Sequence, residues 1–122
     1  MTRAVTAVVL LAMVTGCAGA RPASAVRGRT LYAENGCVSC HGPRGRGDGP
    51  VGRTLSPPPR DFTNVASYAN GSDEASIAAT LARGIDRNGA KMPAFAHLTD
   101  VERRSLALFV ITLRSTPDER TD

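Results

Sequence analysis

Apolar side chains recur at helical spacing in three stretches of this chain, and between them the pattern breaks down. The first stretch predicts a helix from about Val26 to Asn35, with Gly36 in the position that ends helices. Within it Gly28 and Tyr32 stand four apart on one face, with Leu31 beside them. The second stretch puts Ile77, Ala78 and Leu81 on a helix that Ser72 can cap and that stops near Gly84. Asp73 and Glu74 open it, where the macrodipole favours acids. In the third, Thr99 and Glu102 form a T-x-x-E capping box, and Leu106, Phe109, Val110 and Leu113 share a face before Pro117. From Gly42 to about Pro59 the chain is too rich in glycine and proline for regular helix or central strand. It reads as a long loop, acceptable only if it packs against something large. A second irregular stretch runs from Asn88 to His97. No strand signal of any length appears, so the expected fold class is all-α.

The chain opens on a run of another kind. Behind Met1-Thr2-Arg3, residues Ala4 to Val14 are small and apolar apart from Thr6. This is a signal-peptide core, too short to span a bilayer as a stable helix. It ends in Val14-Thr15-Gly16-Cys17, which resembles the lipobox of bacterial lipoproteins. That resemblance implies cleavage before Cys17, which would then carry a diacylglyceryl thioether and an N-acyl chain. Several acyl chains hold a protein stably at a membrane surface where one does not. The competing reading is an ordinary secretory signal with an incidental cysteine. The expected organisation is a signal peptide over residues 1–16, lipid attachment and a flexible tether over 17–25, a folded domain over 26–116 and a tail over 117–122.

Composition makes that domain hard to build from its own side chains. The 122 residues include no tryptophan, three phenylalanines and two tyrosines, against eight prolines and twelve glycines. One domain fits this length and two do not fit comfortably. The net charge of +4 falls to +3 once Arg3 leaves with the leader. A mildly basic chain without an aromatic-interleaved basic stripe is not expected to bind nucleic acid.

The missing bulk has a candidate source in Cys37-Val38-Ser39-Cys40-His41. C-x-x-C-H is the attachment site of a c-type haem. Its thiols sit about one helical turn apart, so each can add to one vinyl group on the same porphyrin edge. The histidine that follows can reach the central iron as an axial ligand. Of the three cysteines, two then hold haem and Cys17 holds lipid, leaving none for a disulfide. A zinc ribbon would need a second ligand pair that the chain lacks, and a thioredoxin-like site would need a βαβ setting.

The iron needs a sixth ligand. Once the leader is removed Met92 is the only methionine, and His97 is the only histidine besides His41. Met92 precedes Pro93, where a rigid backbone can aim a thioether and a missing N–H costs nothing. Met92 is the expected ligand, against a gap-filling core role for it and against His97.

Five segments together resemble the monohaem class I cytochrome c family. They are Gly28-x-x-Leu31-Tyr32, Asn35-Gly36-Cys37-x-x-Cys40-His41-Gly42, Gly45-x-Gly47-Asp48-Gly49-Pro50, Pro57-Pro58-Pro59-Arg60-Asp61-Phe62 and Met92-Pro93-x-Phe95. The resemblance covers roughly Val26 to Arg114. It implies about four helices around one covalently bound haem c, with first and last helices crossing where Gly28 and Tyr32 meet Phe109. Pro50 resembles the proline whose carbonyl accepts from the other nitrogen of the haem histidine. Arg53, Arg60, Tyr68 and Asn70 are candidates to bond the propionates. Arg44, Arg46, Arg53 and Arg60 form a basic cluster that could steer an acidic redox partner, or simply a solvated face. Phosphate cradling by the glycine-rich loop lacks its strand and its lysine.

The expected function is one-electron transfer, the iron between His41 and Met92 cycling between ferric and ferrous at the periplasmic face of a bacterial membrane. Two ligands leave no open position for substrate, so the chain alone is not expected to be an enzyme. Redox proteins are its expected partners. The alternatives are a haem c subunit of a membrane-bound dehydrogenase, reductase or oxidase, and a ligand-binding or peroxidase-like protein with labile methionine ligation.

Overall fold

Ser24 and Thr99 begin the two helices on which the fold is built. The computed structural model describes residues 19–115; the expected signal peptide, the lipid site at Cys17 and the tail 117–122 lie outside the described residues. Four helices follow in order: α1 (Ala25–Glu34), α2 (Cys37–His41), α3 (Glu74–Arg83) and α4 (Asp100–Leu113). Single 3₁₀ turns stand at Gly52–Thr54 and Val65–Ser67, within long loops.

Ser24 Oγ accepts from the Arg27 amide at 3.2 Å and so starts α1 one residue before Val26. Ser24 is therefore part of the folded domain rather than of the tether. The capping box of α4 is present in both directions, Glu102 N to Thr99 Oγ1 at 3.2 Å and Thr99 N to Glu102 Oε2 at 3.0 Å. Helix α3 differs from expectation. Its cap is Asp73, whose Oδ1 accepts from the Ser76 amide at 3.0 Å, and not Ser72. The Ser76 hydroxyl donates to the other Asp73 oxygen, so the carboxylate accepts from both groups of Ser76.

Helix α1 lies across α4 at Gly28. A Cβ there would stand 1.9 Å from the Ser105 carbonyl oxygen and 2.8 Å from Phe109 Cβ, so only glycine permits this approach. One turn on, the Tyr32 ring meets Phe109 edge-on, centroids 5.2 Å apart. Ser105 is fully buried and fully used: its hydroxyl donates to Val101 O at 2.8 Å and accepts from the Ser24 amide at 3.1 Å. Leu31 and Tyr32 from α1, Ile77, Ala78 and Leu81 from α3, and Leu106, Ala107, Val110 and Leu113 from α4 make one core, with Leu98 beside them. Burying each large aliphatic there contributes about 1.5–3 kcal/mol.

A short antiparallel hairpin corrects the expectation of no strand. Strands β1 (Ile85–Arg87) and β2 (Ala90–Met92) pair with Ile85 opposite Met92. Asn88 and Gly89 both carry positive φ, 52° and 79°, the conformation of a two-residue hairpin turn. The fold class stands as all-α with little strand. Among the described residues no helix is long and apolar enough to cross a membrane.

Candidate functional site

Gly36, with φ of 72°, ends α1 and starts the five-residue α2 without an intervening loop. That helix puts Cys37 and Cys40 on one wall of a cleft, neither bridged to another cysteine. Its last carbonyls lack helical partners, as at every helix C-terminus. The glycine-rich loop supplies them: Val51 N donates to Ser39 O at 2.9 Å, Gly49 N to Cys40 O at 3.1 Å and Gly47 N to His41 O at 2.9 Å. The buried Tyr32 hydroxyl donates to Gly42 O at 2.7 Å. A Cβ at Gly49 would come within 2.3 Å of the Ser39 carbonyl, so the loop's composition follows from this closeness and not from a phosphate.

The cleft has two adjoining lobes of about 290 Å³ and about 80 Å³. Both are bounded by His41, Arg60, Ile85 and Met92. The larger lobe adds Cys37, Cys40, Leu55, the Pro57–Pro59 run and Phe95; the smaller adds Phe62, Tyr68, Ile77, Leu81 and Val110. Apolar atoms dominate both walls. Met92 reaches the cleft from the end of β2, aligned opposite Ile85, and Phe95 N donates to Leu81 O at 2.7 Å to fasten the following turn to α3. The hairpin thus positions Met92, beyond the stiffening by Pro93.

The His41 imidazole is set into this apolar wall. Burial, opposed by the Arg60 backbone, lowers its pKa below the ordinary histidine value and so favours the neutral ring. Its Nδ1 is buried and has no hydrogen-bond partner. No hydrogen bond joins the Pro50 carbonyl to Nδ1 in this structure, and the backbone acting on the ring is that of Arg60. Phe62 stacks on the imidazole, centroids 4.6 Å apart and planes inclined by 24°. Burial pushes the Cys37 thiol up to about 11; its own helix amide opposes this and neighbouring Cys40 adds to it.

The remaining candidates divide. Arg60 borders both lobes, and Tyr68 and Asn70 border the smaller one. Tyr68 Oη donates to Phe62 O at 2.9 Å, and Asn70 Nδ2 to Thr80 Oγ1 at 3.2 Å. Arg53 does not border the cleft; its Nε donates to Asp48 O at 2.9 Å. Arg46 is engaged with Thr63 Oγ1 at 3.1 Å and lies 4.0 Å from Asp61, while Arg44 is exposed. His97 is exposed, its Nε2 3.3 Å from Asn35 Oδ1, and borders neither lobe. Sequence reasoning gave no individual role to Phe62, although the Pro-Pro-Pro-Arg-Asp-Phe run pointed to it. It missed Arg114, which lies 5.0 Å from the Tyr68 ring centroid and bonds its hydroxyl at 3.3 Å.

Two free thiols on one wall, with a neutral imidazole and a thioether in the same apolar lining, form a donor set that fits a covalently held porphyrin iron. Comparison with known proteins agrees. The family model for cytochrome c matches residues 25–114. The chain is 37% identical over 92 residues to the cbb3-type cytochrome c oxidase subunit CcoP of Azospirillum brasilense, covering 75% of this chain and 29% of that protein. A chain of the Kuenenia stuttgartiensis reducing HAO-like protein complex superposes with a TM-score of 0.63 at 33% identity, over 77% of this chain and 46% of its own length. The chain thus spans less than half the length of either.

Proposed function

The chain belongs to the cytochrome c family, an electron carrier with covalently bound haem c, and on that premise we propose that it works as a membrane-tethered monohaem protein whose iron His41 and Met92 would hold. The observation that carries this reading is that both side chains border both lobes of the cleft whose wall carries Cys37 and Cys40. When bound, the haem supplies a one-electron couple between ferric and ferrous iron.

The protein's own part is to bind, orient and enclose. Cys37 and Cys40, one turn apart on α2, provide the two thioether sulfurs. Burial lowers the His41 pKa and so favours the unprotonated ring, whose nitrogen lone pair a metal needs. Met92 offers a soft thioether, which raises a haem potential relative to a second nitrogen ligand. Leu81, Val110, Ile85 and Phe95 give the cleft an apolar lining that keeps water away. Arg60, Tyr68 and Asn70, at its edge, are the polar groups available to propionates. Exposed Arg44 and Arg60 offer positive charge to an acidic redox partner. Cys17, by its lipobox, would hold the domain at the periplasmic face of a membrane.

A second reading is supported by the comparisons, since both relatives carry names of larger redox assemblies. The chain would then be the haem c subunit of a membrane-bound complex. Copurification with a catalytic partner at low micromolar concentration favours that role over a free carrier.

Optical spectra of the purified protein, oxidised and reduced, test the ligand pair. The wild type is expected to be six-coordinate and slow to bind carbon monoxide when reduced. Met92→Ala is expected to open the iron to carbon monoxide, and a spectrum unchanged from wild type would sink the assignment of Met92. Cys17→Ser is expected to release the protein from membranes, and unaltered retention refutes the lipid anchor.

A further inference from the structure

His41 enters the cleft with Nδ1 buried and unpartnered. Phe62 lies against the face of the imidazole at 4.6 Å, nearly parallel to it. Phe62 is itself held from several directions. Its amide donates to Gly45 O at 2.8 Å, and its ring lies over Gly45, where a Cβ would come within 2.2 Å of it. Its carbonyl accepts from Tyr68 Oη at 2.9 Å. Arg114, just past the end of α4, places its guanidinium 5.0 Å from the Tyr68 ring centroid and bonds that hydroxyl through Nε at 3.3 Å. One of its terminal nitrogens, Nη2, donates to the Ser72 carbonyl. A continuous set of contacts thus runs from the end of α4 through Tyr68 and Phe62 to the imidazole.

We propose that Phe62, braced by Tyr68 and Arg114, is a positioning residue that fixes the rotation of the His41 ring by stacking. The inference rests on the reading of His41 as an axial ligand. Groups that orient a metal-bound imidazole tune the metal as well as the fold. The rotation of the ring decides which metal orbitals it overlaps, so disturbing the stack changes the magnetic spectrum of the oxidised protein and its potential. A ring that only filled space would affect stability alone.

The test compares the haem-loaded wild type with Phe62→Leu, Phe62→Tyr and Tyr68→Phe, reading haem-methyl proton shifts of the oxidised form, midpoint potential and melting temperature. Phe62→Leu is expected to stay low-spin while its methyl shifts redistribute and its potential moves. Phe62→Tyr, which keeps a ring, is expected to return the wild-type pattern. Tyr68→Phe loses the hydroxyl that holds the Phe62 carbonyl, and a smaller redistribution is expected. A Phe62→Leu protein that melts lower with wild-type methyl shifts and potential would overturn the proposal. Should Phe62→Leu fail to fold, unchanged methyl shifts in Tyr68→Phe overturn it instead. A wild type that is not low-spin overturns the axial-ligand reading, and this inference with it; low-spin wild type with unaltered variants overturns the stacking role alone.

Discussion

The crossing of α1 over α4 and the wall that carries Phe62 and Met92 are built on opposite plans. At the crossing, backbones touch: Gly28 sits against the Ser105 carbonyl, and Leu31, Leu106, Ala107 and Ser105 are all but sealed from solvent. Its rigidity comes from side-chain packing between regular helices. The cleft wall is made mostly of loop and a short hairpin, and its His41, Phe62, Tyr68, Met92 and Phe95 are only half-buried. Backbone hydrogen bonds hold its shape, from the loop onto α2 and from Phe95 onto α3. The contrast has a physical sense. A site that must receive a large apolar group cannot first fill itself, so its form has to come from bonds along its edge. Tyr32 joins the two regions, with its ring on Phe109 and its hydroxyl on Gly42 O.

The strongest way to break the contrast is at the crossing. Gly28→Val drives a side chain into the α4 backbone, and a loss of about 3 kcal/mol or more is expected, enough to prevent recovery of folded holoprotein. A Gly28→Val protein that melts like wild type would show that α1 and α4 do not pack as described. Tyr32→Phe addresses the bridge. Burial, with Cys37 and Asp48 nearby, holds the Tyr32 hydroxyl protonated far above the ordinary tyrosine range, so it serves as a donor at any working pH. Removing it leaves Gly42 O with only the weaker Gly45 amide, at 3.2 Å, and is expected to cost about 1–2 kcal/mol by chemical denaturation. Because Gly42 follows His41, the potential is expected to shift as well, whereas Ser105→Ala, which affects the crossing alone, should lower stability and leave the potential in place.

The smallest expected effect lies at the start of α4. Bonds from the Thr99 amide, then the Thr99 hydroxyl, then Arg27 hold the Glu102 carboxyl below the ordinary glutamate value. Its contribution is therefore present above the unfolded-state pKa and lost as pH falls through the lower folded-state value. Glu102→Gln is expected to melt slightly below wild type at neutral pH, the gap closing in acid. A gap that widened in acid would contradict the sign.

Much of the helical half was legible from local pattern. Gly28, Tyr32 and Phe109 meet as helical spacing and a small-residue contact suggested, and the Thr99–Glu102 box needs only four consecutive residues to be recognised. The cleft half was legible only in part. Asn88-Gly89 was the available signal for the hairpin, but strands of three residues are too short to show alternation. Ser72 and Asp73 are both good caps standing side by side, and only the position of Ser76 decides between them. Arg53 looked as suited to a propionate as Arg60, yet its guanidinium is turned to the Asp48 carbonyl.

By itself the sequence determined the chemistry available: the C-x-x-C-H thiols and imidazole, Met92 as the one methionine among residues 19–115, and helices able to pack. Those depend on residue identity and on neighbours within a turn or two. The tertiary structure alone decided that β2 presents Met92 to the cleft, that the loop amides donate to the end of α2 instead of cradling a phosphate, and that Phe62, Tyr68 and Arg114 line up behind His41. Each of these joins residues far apart in the chain. Such contacts arise only once the core has closed, and no local spacing encodes them.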